Sequence, residues 1–153
     1  MRKAEAVWLV EVAMVMLVPY KLLRERFPIL SDRSGSPEVR EQLFAIVKLL
    51  LASVPVDETW YRKQYPDVGA AIEAGRYESA QRHFIEHGYF EERKPSRLSV
   101  DEAWYLAAND DVREGLEEGD IESGEEHFNL YGYNEGRLPT RFPDPTSLLA
   151  SSG

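Results

Sequence analysis

The sequence predicts an all-α fold: an N-terminal helical pair over residues 1–54, two tandem three-helix repeats over 55–97 and 98–141, and a tail over 142–153. Three observations predict it. Slid by 44 residues, the stretch 56–97 meets 100–141 with 19 of 42 positions identical. Chance would give only about two or three, and a match at a fixed period of this size marks stacked helical units. Apolar residues in these stretches recur three and four apart, the spacing of one helix face. Prolines and glycines stand where such helices would start and stop.

The first predicted helix follows Arg2-Lys3. It is a nearly all-apolar run from Ala6 to Val18, broken by Glu11. Such a run falls short of the roughly 20 residues that a spanning helix needs. A basic start before a short apolar core also outlines a secretion signal. Glu11 inside the core, and no small-x-small cleavage site after it, speak against that. Apolarity on every face favours a buried or dimer-forming helix, with membrane association of residues 4–23 as the alternative. Ser31 to Ser36 reads as a turn-rich linker. Ser36-Pro37 then opens a second helix, with Ser as the cap and Pro at the first position. Val39, Leu43, Ile46, Val47 and Leu50 carry its apolar pattern toward Val54. The two helices pair as an antiparallel hairpin. The expected interface residues are Trp8, Val12 and Val15 on the first and Leu43, Ile46 and Leu50 on the second. The hairpin either caps the first repeat or pairs with a second chain.

Each repeat begins with a helix near Asp57 or Asp101 that carries Trp60-Tyr61 or Trp104-Tyr105. Ser99 to Glu102 fits a capping box, and Pro55 takes that place in the first copy. The second helix starts at Pro66 or after Asn109. Asp67 and Asp111 follow in the first turn, where negative charge meets the helix dipole. Val68 with Ile72, and Val112 with Leu116, form the buried stripe. Gly75 and Gly119 end that helix in a left-handed conformation. The third helix runs from about Glu78 to His87, and from Glu122 to Tyr131. Gly88 and Gly132 are expected to stop it, clasped by Phe84 with Tyr89 and by Phe128 with Tyr133.

Composition narrows the function. A net charge of −9 argues against wrapping nucleic acid and against an anionic membrane surface as the main partner of the acidic part. With no cysteine there is no disulfide, thiolate nucleophile or Cys-zinc site. His83-Phe84-Ile85-Glu86-His87 matches an inverzincin pattern, H-x-x-E-H. The second copy reads His127-Phe128-Asn129-Leu130-Tyr131, without the Glu or the second His, and no third ligand presents itself. A structural hydrogen bond made by His83 and His127 explains the shared histidine better. The shared acids read as helix-start residues, with ion pairs of Arg93 to Asp67 and of Arg137 to Asp111. Asn109 to Glu118 lacks the ligand pattern of a calcium loop. Trp60, Tyr61, Trp104 and Tyr105 are candidates for stacking on sugar rings, although their helical period already explains them as core.

The motifs Trp60-Tyr61, Tyr65-Pro66-Asp67-Val68, His83-Phe84 and Gly88-Tyr89 recur as Trp104-Tyr105, Asp111-Val112, His127-Phe128 and Gly132-Tyr133, with Glu135-Gly136-Arg137 after them. Over residues 56–140 this resembles a repeat of about 40 residues found in alphaproteobacterial proteins beside glycosyltransferases of cell-surface polysaccharide synthesis, rhamnan-synthesis-type proteins included. Glu92 departs from the pattern, which has Gly, and Asp110 departs where it has Pro. The resemblance implies an accessory domain and no chemistry of its own.

The function expected is a non-enzymatic adaptor without cofactor or metal. It would meet a protein partner or a second copy of itself, in the cytoplasm or peripheral to the inner membrane. The candidate binding residues are Trp60, Tyr61, Trp104, Tyr105, His83, His127, Arg93 and Arg137. A saccharide-binding module, a membrane-associated subunit and a small metal-dependent hydrolase built on His83 and His87 are the alternatives.

Overall fold

A computed structural model describes residues 17–31 and 36–141. Trp8, Val12 and Val15, the expected first helix up to residue 16, and the tail over 142–153 lie outside the described residues. Every regular element within them is helical, and the fold is all-α.

Helix α1 (Tyr20–Arg26) starts behind Pro19 and leads into a 3-10 turn, Pro28–Leu30. Helix α2 (Pro37–Leu51) is the longest described, with Pro37 at its first position. Ser36 is not the side-chain cap expected of it. Its hydroxyl bonds the Glu38 carboxylate instead of a backbone N–H. On its inner side α2 sets Phe44 and Val47 against the core and buries Leu51.

Helices α3 (Glu58–Gln64), α4 (Pro66–Glu73) and α5 (Ala80–His83) follow. Helices α6 (Glu102–Ala108), α7 (Asp110–Glu118) and α8 (Gly124–His127) come next, and a single turn, α9 (Tyr133–Glu135), closes the described part. The Asp57 carboxylate caps α3 by accepting from the Trp60 N–H at 2.9 Å, and Asp101 caps α6 through Trp104 at 3.1 Å. The capping box expected from Ser99 does not form. An aspartate two residues later does its work in both places, so Pro55 costs nothing. Asn109 precedes α7 without capping it, because its amide donates back to the Tyr105 carbonyl at 2.8 Å. Pro66 opens α4, where a missing N–H leaves nothing unsatisfied. Gly75 and Gly119 are left-handed, at φ 72° and 82°, and stop α4 and α7.

The third helices depart most from expectation. Ser79 and Ser123 cap α5 and α8 by accepting from Arg82 and Glu126. Each helix then widens into a π turn, Phe84–Gly88 and Phe128–Gly132. Gly88 is the last residue of its π turn and Gly132 leads directly into α9, and neither glycine is left-handed. The left-handed residues are Glu92 (φ 62°) and Gly136 (φ 79°), a turn further on. There the Arg93 N–H reaches the Gly88 carbonyl at 2.8 Å and the Arg137 N–H reaches Gly132 at 2.9 Å, the wide bond of a Schellman end. Gly88 and Gly132 are needed for space instead. A Cβ on either would collide with the hydroxyl of Tyr61 or Tyr105. The Phe84–Tyr89 and Phe128–Tyr133 ring contacts survive, at 6.1 and 6.2 Å. Each contact spans the π turn, from its first residue to the residue just after its last.

Tyr61, Phe84, Tyr105, Phe128 and Tyr133 are the largest buried side chains, joined by Val68 and Val112. The Asp57 N–H donates to the Pro95 carbonyl at 3.0 Å and the Asp101 N–H to Pro139 at 2.9 Å, so the stretches 57–95 and 101–139 are each tied end to end. The α1 segment lies across both. The Tyr89 hydroxyl donates to the Val18 carbonyl at 2.7 Å, Arg24 pairs with Glu92 at 3.2 Å, and the Lys21 side chain runs beside Gly136.

Candidate functional site

Most of the candidate residues fall into two clusters of the same make-up. In the first, the Tyr61 hydroxyl meets His83 Nδ1 at 3.0 Å; in the second, Tyr105 meets His127 at 3.1 Å. Burial raises the pKa of both tyrosines, that of Tyr105 to about 12. Burial also lowers both histidines, helped by Arg93 beside His83 and by Arg137 beside His127. A neutral imidazole against a neutral phenol is a stable buried pair, and neither is poised to move a proton near neutral pH.

The arginines are held as the sequence suggested. Arg93 forks onto Asp67 at 3.0 and 2.8 Å, and Arg137 onto Asp111 at 2.9 and 2.7 Å. Each also pairs with an acid two residues before it, Glu91 at 2.8 Å and Glu135 at 2.6 Å. The hydrogen bonds from Arg93 hold Asp67 below its usual range, and those from Arg137 bring Asp111 to about 2. The guanidiniums thus clasp the start of the second helix to the end of the third. Their donors are spent on these acids and on little else.

Tyr61 and Tyr105 are 0% exposed, so neither offers a face to a sugar ring. Trp60 and Trp104 pack against the core and stay partly exposed. Trp60 stands edge-on to Tyr65 at 6.1 Å. The rings of His83 and His87 are 6.0 Å apart. His83 Nδ1 is taken by Tyr61, and Glu86, the would-be base, is paired with Arg82 at 2.5 Å. Among the described residues no three His, Cys, Asp or Glu side chains stand close enough to hold a metal ion. The third ligand that an H-x-x-E-H site requires is therefore not supplied among them.

Two contacts escaped the sequence reading. Glu58 accepts from the Ala80 N–H at 2.9 Å, and Glu102 from those of Gly124 and Glu125 at 2.6 and 3.0 Å. Both carboxylates cap the third helix from the first. The signal was present, since Glu58 and Glu102 match at the 44-residue offset. The second contact had none. Gln81 brackets the backbone of Val54 and Val56, and Asn129 brackets Leu98, from different positions on the third helix.

Every buried side-chain polar atom among the described residues has a partner. No family model, curated protein or solved structure matches this chain. The site must therefore be found by geometry, and the geometry singles out α2. Of the eight large apolar side chains exposed among the described residues, six lie between residues 27 and 50. On α2 these are Val39 (45% exposed), Ile46 (55%), Leu49 (76%) and Leu50 (66%), with Leu43 half-buried among them. Three of them, Leu43, Ile46 and Leu50, are the expected interface residues. The inner face is fixed by Phe44, edge-on to Phe90 at 5.1 Å, so the outer face is presented on a seated helix. No helix among the described residues is long and apolar enough to cross a membrane.

Proposed function

We propose that the chain is a non-enzymatic helical interaction module, two tandem units and an N-terminal segment, whose contact surface is the outer face of α2. One observation carries this reading. A helix of this acidic chain keeps a continuous apolar row in water while its other side is already buried. Exposed apolar patches of that kind mark interaction sites. The arginines, histidines and tyrosines that suggested chemistry are engaged with one another, which supports a scaffold and not a reaction centre. The resemblance of the units to modules beside cell-surface polysaccharide glycosyltransferases gives the proposal its setting. It is an accessory to envelope polysaccharide synthesis, in the cytoplasm or at the inner membrane.

The test is a photo-crosslinking residue at Ile46, with a control at the exposed Glu114 of α7. The expected result is a crosslink to one protein of that machinery from position 46 and none from 114. The purified partner then binds the intact chain and loses at least tenfold in affinity for the Ile46→Glu/Leu50→Glu variant. Equal crosslinking from both positions, or unchanged affinity, rejects the surface.

A further inference from the structure

The stretch from α3 to α5 and the turn after it carry an imidazole pair that the later stretch lacks. His83 ends α5 and His87 lies in the π turn Phe84–Gly88, one turn away, with the ring centres 6.0 Å apart. Tyr77 stands edge-on to both rings, at 4.8 and 5.8 Å. At the offset of 44 residues, Tyr77, His83 and His87 meet Ile121, His127 and Tyr131. The Tyr–His hydrogen bond forms in both places, so neither Tyr77 nor the second imidazole is needed to make it. His83 spends only Nδ1 on that bond. No buried side-chain nitrogen or oxygen among the described residues lacks a partner, so His83 Nε2 reaches the surface. His87 is exposed beside it.

We infer that His83, through Nε2, and the His87 imidazole together clasp one divalent transition-metal ion, with water in its remaining positions. Imidazole is a side chain that copper, nickel and zinc ions favour. Metal–nitrogen bonds of about 2.0–2.1 Å bring two ligating ring centres to about 5 Å. The observed 6.0 Å is wider by about the amount that a small turn of the exposed His87 ring closes. An ion on Nε2 leaves the His83 proton on Nδ1, which donates it to the Tyr61 oxygen. Such a second contact is what orients a ligating histidine. Tyr77 steadies both rings from the side, so little ordering remains to be done on binding. Glu86 takes no part, being turned to Arg82. Two protein ligands fall short of the three that a catalytic zinc has, so the site holds an ion and does not hydrolyse. The net charge of −9 draws cations to the chain as a whole, and the two imidazoles fix where one stays. The inference is independent of the α2 surface.

The experiment uses the untagged full chain, in which His83, His87 and His127 are the only histidines. Copper(II) and zinc ions are titrated separately by calorimetry, at neutral pH in a buffer that binds neither. One equivalent should bind, copper more tightly than zinc. His87→Gln should weaken it at least tenfold while the helical circular dichroism stays. In NMR spectra, substoichiometric copper should broaden the ring signals of His83 and His87 before those of His127. The Tyr131 ring lies 5.6 Å from that of His127, so Tyr131→His supplies a second imidazole at similar spacing and should add a second equivalent. Affinity unchanged in His87→Gln assigns the ion to the acidic surface and overturns the inference. Equal broadening of all three histidines, or no binding at millimolar ion, overturns it too. A Tyr131→His chain that gains no second equivalent shows that an imidazole pair at this spacing does not hold the ion.

Discussion

The stretch from α3 to α5 and the stretch from α6 to α8 share several contacts and build others from different chemistry. Where the geometry leaves a single solution, the residues are the same: the Asp caps, the Ser caps, the Tyr–His pair, and the glycine under the tyrosine hydroxyl. Where several side chains serve, they differ. Arg93 lies over the Tyr65 ring at 4.9 Å, whereas Arg137 donates to the Asn109 amide oxygen at 2.9 Å. Gln81 brackets the incoming backbone in one segment and Asn129, one turn further along, in the other. The left-handed corner is Glu92 in one and Gly136 in the other. The backbone path is the common requirement, and side chains are exchangeable to the degree that they leave it unchanged.

The largest effect should come from the glycines. Gly88→Ala and Gly132→Ala each drive a methyl into a tyrosine hydroxyl, and overpacking at that depth costs about 2–3 kcal/mol in urea unfolding. Removing the hydroxyl should rescue: Gly88→Ala with Tyr61→Phe regains about half. No rescue would show that the glycine serves something other than space.

The arginine clasps come next. Arg93→Lys and Arg137→Lys both lose a forked bond to a largely exposed aspartate, at about 1 kcal/mol each. An unchanged melting temperature in both variants would remove the ion pair from the list of stabilising contacts. At the corners the two segments should respond with opposite sign. Glu92→Gly relieves a left-handed residue and gains about 0.5 kcal/mol, after losing the exposed Arg24 pair. Gly136→Ala loses about 1 kcal/mol. Like signs would mean that the corners are not equivalent.

The smallest effect is on pH. His83 and His127 are held below their usual 6.5 in the folded chain, so the unfolded chain takes up protons first. Their contribution is whole above about pH 6.5 and declines as the pH falls below it. Asp67 and Asp111 are also lowered, so their contribution is present above 3.8 and is lost below that, toward about 2 for Asp111. A midpoint of urea unfolding that falls between pH 7 and 5, and falls less in a His83→Gln/His127→Gln variant, checks the first window.

The all-helical class, the start of α4 at Pro66, the Gly75 and Gly119 stops and the Arg–Asp pairs could be read from the sequence. Each depends on residues close along the chain or on a charge pair repeated at the same offset. The ends of the third helices could not. A glycine needed for space and a glycine needed for a left-handed turn look alike in a sequence, and only the position of the tyrosine hydroxyl separates Gly88 from Gly136. Ser99 looked like a cap because Glu102 stands three residues on, but that carboxylate is used 22 residues away. The bracketing amides of Gln81 and Asn129 were hidden for the same reason. Their partners are distant along the chain, and no local rule connects them. Of the candidate site residues, Leu43, Ile46 and Leu50 were named from the sequence by their spacing along one helix, and Ile46 and Leu50 are exposed there. The sequence could not tell that Phe44 and Val47 turn inward while Ile46 and Leu50 remain outside.

The seat of α1 also sets an order of assembly. Val18 bonds a tyrosine 71 residues downstream, and Arg24 pairs 68 residues downstream. Such distant partners form late, because loop closure opposes them until the intervening structure exists. On a ribosome making about 5–20 residues per second, the segment around α1 emerges several seconds before its seat has been synthesised. The part of the chain that is made first is therefore the part that settles last, and a nascent chain stalled before Tyr89 would hold α1 without its seat.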